Sequence, residues 1–155
     1  MVPGKLLACA RPTGAFQVER RNGRLYASAA SHARYDRFAE AVGAVDAKAL
    51  ARAYQALHGP IEAAYRALGY PQGSLDKASG RVLGRILRAP VPKGDPELVE
   101  AGGTLFAFAD PKLEALGDVE KQLLRMGAKN AGIVQAKARE VSEALGIRPT
   151  AGRKK

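Results

Sequence analysis

The strongest constraint on how this chain folds is a series of larger apolar side chains at helical intervals. Leu50, Tyr54, Leu57, Ile61, Tyr65 and Leu68 follow one face over about five turns. Asp46 precedes the series as an N-cap, and Gly69 follows it as a left-handed stop. Pro60 falls inside it. Proline offers no N–H to the carbonyl four residues back, and Gly59 before it is biased away from helical backbone, so a kink or break is expected around His58. The same punctuation organises the rest. Ser28 or Ser31 caps a first helix through about Val42, with Tyr35, Phe38 and Val42 along one side and Gly43 at its end. Ser74 caps a third helix from Leu75 to about Arg88, whose apolar side is Val82, Leu83, Ile86 and Leu87 and which Ala89-Pro90-Val91-Pro92 ends. Asp118 caps a helix carrying Val119, Leu123 and Met126 that stops at Gly127. A last helix, from about Lys129 to Leu145, buries Val134, Ala138, Val141 and Leu145 and stops at Gly146.

One ribbon stands apart from these helices. Asn22-Gly23 suits a two-residue hairpin turn in which both positions need positive φ. Pairing Arg21 with Arg24 places Phe16, Val18, Leu25 and Ala27 on one face and Gln17, Glu19, Arg21, Arg24 and Tyr26 on the other, the split expected of a ribbon covering a core. Residues Lys93 to Gly103 read as a loop holding at most one helical turn begun by Asp95-Pro96. Thr104 to Ala109 reads as a short strand or an apolar turn, and Asp110-Pro111 starts a brief helix. The fold class is therefore mainly α, a compact multi-helix domain of about five to six helices with an N-terminal β-hairpin. The expected organisation is a flexible N-terminal segment over 1–13, a single helical domain over 14–148 and a basic C-terminal tail over 149–155, which suits a chain of 155 residues.

Hydrophobic residues make up 46% and charged residues 26%, proportions of a globular chain rather than a disordered one. With Trp absent, Leu, Val, Ile, Phe and Tyr must carry the burial energy, at roughly 1.5–3 kcal/mol each. The lone Cys9 excludes an intrachain disulfide and lacks partners for a zinc site. Leu6-Leu7-Ala8-Cys9 imitates a lipoprotein cleavage box, but the five residues ahead of it are too few for a signal. No run approaches the ~20 apolar residues of a transmembrane helix. The expected location is cytoplasmic as written, or the periplasmic side of the inner membrane where an anchor precedes Met1.

No constellation for catalysis stands out. His32 and His58 have no Asp, Cys or Ser at triad or ligand-pair spacing, and no phosphate-binding loop, nucleophile elbow or paired metal-binding histidines occur. The expectation is no enzyme, no cofactor and no metal. An enzyme reading would need a deep polar pocket gathering His58, Tyr65 or Tyr70 with a perturbed carboxylate. The charge points elsewhere: 25 Lys and Arg against 15 Asp and Glu give +10, although Arg153, Lys154 and Lys155 sit in the terminal tail. Lys77, Arg81, Arg85 and Arg88, spaced by four, four and three, align on one helix face with no acid between them. A partner carboxylate or phosphate would satisfy them. Leu123 to Ala131 looks like half of a helix-hairpin-helix motif, in which Arg125, Gly127 and Lys129 would meet phosphate, with Arg125 where that motif's first glycine belongs. The partner expected is an acidic protein or envelope component, with nucleic acid as the alternative.

Three blocks in order, Tyr65-Arg66-Ala67-Leu68-Gly69-Tyr70-Pro71-Gln72-Gly73, Phe108-Ala109-Asp110-Pro111-Lys112-Leu113-Glu114-Ala115-Leu116 and Leu123-Leu124-Arg125-Met126-Gly127, resemble the bacterial family catalogued as domain of unknown function 3014. The likeness runs from about Gly14 to Leu145 and includes Ala33-Arg34-Tyr35 and Gln135-Ala136-Lys137. It implies a soluble domain that in family members follows an N-terminal membrane helix and linker in the cell envelope. It implies no activity and no catalytic residues. This chain departs from the family at Ala128-Lys129, where Pro-Glu is common, and in a third helix more basic than usual.

Overall fold

A computed structural model describes residues 12–71, 73–91, 93–103 and 105–150. Cys9, the lipoprotein-like box, most of the expected N-terminal segment and the terminal Arg153, Lys154 and Lys155 lie outside the described residues. The chain is mainly helical with an N-terminal antiparallel strand pair. In order it forms β1 (Val18–Arg21), β2 (Arg24–Ala27), α1 (Ala29–Ala33), α2 (Asp36–Gly43), α3 (Ala47–Ala67), α4 (Ser74–Arg88), β3 (Glu97–Glu100), β4 (Phe106–Phe108), α5 (Pro111–Glu114), α6 (Asp118–Arg125) and α7 (Gly127–Leu145). It divides into two compact units, Met1–Gly43 with Ala89–Val134, and Ala44–Arg88 with Gln135–Lys155.

The first unit holds the sheet. Asn22 and Gly23 have φ of 49° and 80°, as the turn requires, and Arg21 pairs with Arg24 as expected. The ribbon is not alone, however: the strands form one antiparallel sheet in the order β1-β2-β3-β4. The expected loop with a helical turn at Asp95-Pro96 is instead the lead into β3. Pro96 just precedes the strand, where no ladder N–H is needed, and Arg24 pairs with Glu97 at 3.3 Å across β2 and β3. Of the two readings of Thr104 to Ala109, a strand is the one formed, over Phe106–Phe108; Thr104 itself lies outside the described residues. Leu98 and Phe108 face inward with Ala27 and Leu124, and Phe16, Val18, Leu25, Phe106, Leu113 and Leu116 pack around them. The inward face of the hairpin is therefore the one its alternation marked.

Helices at the edge of this core differ from expectation in two places. The single helix expected up to Val42 is two, because the Tyr35 N–H turns back to His32 O at 3.0 Å, a tighter three-residue closure, and Tyr35 O then receives Ala39 N at 2.9 Å to start α2. Ser28 caps α1 as anticipated, through Ser31 N. Asp118 is not the cap of α6: Gly117 holds that position and Asp118 stands in the first turn, where its charge still favours the helix dipole.

The second unit is built on α3 and α4. Asp46 caps α3 through the amides of Lys48 and Ala49 at 2.9 and 3.0 Å, and these two bonds hold its carboxyl below the ordinary carboxylate range. Of the kink or break expected around His58, the break does not occur: α3 runs unbroken with Pro60 inside it. Part of the proline penalty is a clash with the Cβ of the preceding residue, and Gly59 has none. Gly69 takes φ of 89° as the stop. Helical spacing was a poorer guide to burial. Leu50, Leu57 and Ile61 of α3, its C-cap residue Leu68, and Val82 of α4 are exposed, whereas Ala51 and Leu83 are buried. Among the described residues no helix is long and apolar enough to cross a membrane.

Candidate functional site

The basic row of α4 stands where its spacing placed it, in the second unit, but its members have different surroundings. Lys77 and Arg81 are exposed and have no ion-pair partner among the described residues. Arg85 is half-buried and engaged. Arg88 turns its Nη1 to Thr150 O at 3.0 Å, so its role is at least partly internal.

That bond belongs to a strap over α4. After Gly146 the chain runs back along the helix, Ser142 Oγ donates to Ile147 O at 2.8 Å, and Thr150 N donates to Gly80 O at 2.9 Å. Gly80 and Gly84, one turn apart, make the track. A Cβ on Gly80 would stand 2.8 Å from Arg148 O, and one on Gly84 only 2.1 Å from Thr150 O and 2.8 Å from Arg88 Nη1. Two glycines inside a helix cost about 1 kcal/mol each against alanine, and close seating of the strap is what they allow. Gly84→Ala is therefore expected to expel the strap and cost about 1–3 kcal/mol. Exchange of the Thr150 amide, slow in the parent and fast in the variant while α4 stays protected, checks it; unchanged protection refutes it.

Beside the strap lies a groove of roughly 560 Å³ among Tyr54, His58, Asp76, Lys77, Ile147 and Arg148. On its wall Tyr54 Oη donates to Asp76 Oδ1 at 2.5 Å, His58 Nε2 lies 3.2 Å from the same oxygen, and the two rings meet edge to face at 5.4 Å. Burial and the Asp76 carboxylate raise the Tyr54 hydroxyl pKa above its ordinary value. Sequence spacing gave no sign of this cluster, because His58 and Asp76 lie on different helices, α3 and α4. Glu62 closes the same region, taking Gly73 N at 2.7 Å and Leu75 N at 3.3 Å at the start of α4. Tyr65 and Tyr70, the other candidates for a polar pocket, stack on each other at 4.2 Å instead.

The turn between α6 and α7 belongs to the first unit, and each of its three candidate residues has neighbours there. Arg125 lies over the Phe108 ring at 5.6 Å and reaches Phe106 O at 3.5 Å. Gly127 has φ of 78°, and the His32 ring fills the place its Cβ would take, 2.8 Å from Cγ. Exposed Lys129 pairs with Asp36 at 3.4 Å. Buried Asn130 donates its Nδ2 to Asp36 Oδ1 at 2.9 Å and to His32 O at 3.0 Å, and the Asn130 bond, reinforced by Lys129, holds the Asp36 carboxyl below its ordinary range. A carboxylate thus already stands beside the first turn of α7, the position a nucleic-acid phosphate would take. Among the described residues no group of His, Cys, Asp and Glu is arranged to hold a metal ion.

No curated protein and no solved structure matches the chain. The profile of one family, described as a protein of unknown function (DUF3014), matches residues 1–142. With nearly the whole sequence covered, the chain belongs to the DUF3014 family.

Proposed function

We propose that this protein is a non-catalytic interaction module of the cell envelope whose α4 face receives an acidic protein partner. The observation that carries the reading is how the acids next to that face are used. Glu62 is committed to the amides of Gly73 and Leu75, and Asp76 to Tyr54 and His58, which leaves Lys77 and Arg81 exposed with no ion-pair partner among the described residues. Unpaired cations on a rigid helix steer an acidic partner and fix its register. The envelope setting comes from the family resemblance. Nucleic acid is the rival occupant, and the Asp36 carboxylate beside Lys129 counts against its second contact.

Pull-down with the full chain, with and without nuclease, separates the two. Acidic proteins retained after nuclease treatment, and lost about tenfold or more in the Lys77→Glu, Arg81→Glu double variant, are the expected result. Capture of nucleic acid alone, with a steep salt dependence, would overturn the reading.

A further inference from the structure

The groove beside the strap is of a size for a small molecule. Its volume of roughly 560 Å³ falls within the range of ligand pockets, and its walls all belong to the second unit: Tyr54 and His58 from α3, Lys77 from α4, Ile147 and Arg148 from the strap. The strap reaches this place at the expense of α4. Gly80 and Gly84 weaken that helix and leave room for the strap, whose backbone is then pinned by Thr150 N on Gly80 O at 2.9 Å and by Ser142 Oγ on Ile147 O at 2.8 Å. Local helix preference is broken chiefly where a site requires it. What the strap brings to the groove is a half-buried isoleucine and a guanidinium.

Charge at the groove is unbalanced. Lys77 and Arg148 come from different elements, both are exposed, and neither has an ion-pair partner among the described residues. The acid on the same wall, Asp76, is tied to α3 instead, accepting on Oδ1 from Tyr54 at 2.5 Å with His58 Nε2 at 3.2 Å from the same oxygen. A guanidinium fork takes two acceptor oxygens and an ammonium takes a third. A carboxylate has two oxygens and a single charge, so it would leave one of the two cations unmatched. A phosphate monoester has three oxygens and a charge of about −1.5 to −2 at neutral pH, which suits the pair. Around the cations, the rings of Tyr54 and His58 and the Ile147 side chain give apolar surface for an organic group.

We infer that this groove binds a small organic phosphate monoester, its phosphate held between Lys77 and Arg148 and its organic group against Tyr54, His58 and Ile147. The inference stands without the acidic-partner reading. Lys77 serves both, but Arg148 lines the groove and Arg81 does not, so the two readings fail separately.

Phenyl phosphate is the probe, titrated into the full chain and followed by amide chemical shifts. Saturation with a dissociation constant of about 1 mM or tighter is expected, with the largest shifts at His58, Lys77, Ile147 and Arg148. Benzoate, the same ring bearing a carboxylate, is expected to bind about tenfold more weakly or worse. Arg148→Gln, a change at an exposed site, is expected to weaken phenyl phosphate binding about tenfold or more with unchanged thermal unfolding, while Arg81→Gln leaves it as in the parent. Absence of saturable shifts overturns the inference, as does benzoate binding as tightly as phenyl phosphate. Equal losses in Arg148→Gln and Arg81→Gln overturn it too, by showing general attraction to a basic surface. So does binding to vesicles containing phosphatidic acid without binding to phenyl phosphate, which assigns the phosphate to a membrane lipid.

Discussion

Phe108→Ala is expected to lower the free energy of unfolding by about 3–5 kcal/mol, a large fraction of the roughly 5–15 kcal/mol that holds a domain together. The side chain is almost wholly buried and meets Leu98 and Ala27 from the sheet and Leu124 from α6. Its ring also supports the Arg125 guanidinium at 5.6 Å, so truncation removes a packing partner from a charged group as well as from apolar ones. Collapse into the space is limited, because the Phe108 N–H is tied to Glu114 at 2.9 Å and Lys121 holds the other oxygen of that carboxylate at 2.9 Å. The backbone of β4 therefore stays in place around a void. Val99→Ala, at an exposed position of the neighbouring strand, is expected to change stability by less than about 0.5 kcal/mol. Denaturant titration of the pair checks the claim, and a Phe108→Ala cost near that of Val99→Ala would show that the core of the first unit lies elsewhere.

What was legible in the sequence depended on how local its physical cause is. The first hairpin was readable because Asn22-Gly23 carries its own backbone requirement and fixes the register at once. The second strand pair had a comparable signal in Gly102-Gly103, both at positive φ, but Pro96 and two glutamates masked the strand beside it. Only Leu98 of β3 points into the core, too short a pattern to declare itself. In α3 the apolar spacing correctly showed which residues share a face. Spacing carries no information on what covers that face, so Leu57 and Leu68 looked like core and are exposed. The basic row was legible for the same local reason, yet the capture of Arg88 by Thr150 depends on a partner 62 residues further along the chain. The Tyr54, His58 and Asp76 cluster was illegible because it exists only once α3 and α4 lie side by side.

Gly127→Ala is expected to cost about 2–5 kcal/mol, from two causes that can be separated. The first is local. A φ of 78° puts an L side chain in the left-handed region, at about 1–2 kcal/mol. The second is tertiary. The new Cβ would stand 2.8 Å from Cγ, 3.0 Å from Nδ1 and 3.2 Å from Cδ2 of His32, an overlap worth about 1–3 kcal/mol. The ring has little freedom to move aside, since its Nδ1 lies 3.7 Å from Asp95 and the His32 carbonyl receives Asn130 Nδ2 at 3.0 Å. Removing the ring should relieve only the second cause: in a double-mutant cycle, His32→Ala is expected to recover about 1–3 kcal/mol of the Gly127→Ala loss and leave the rest. Gly132, further along α7 with open space where a Cβ would go, supplies the opposite sign, because Gly132→Ala removes a helix penalty and should stabilise by about 1 kcal/mol. If the cycle shows no coupling, the turn between α6 and α7 is held by its own backbone alone and His32 does not seat the start of α7.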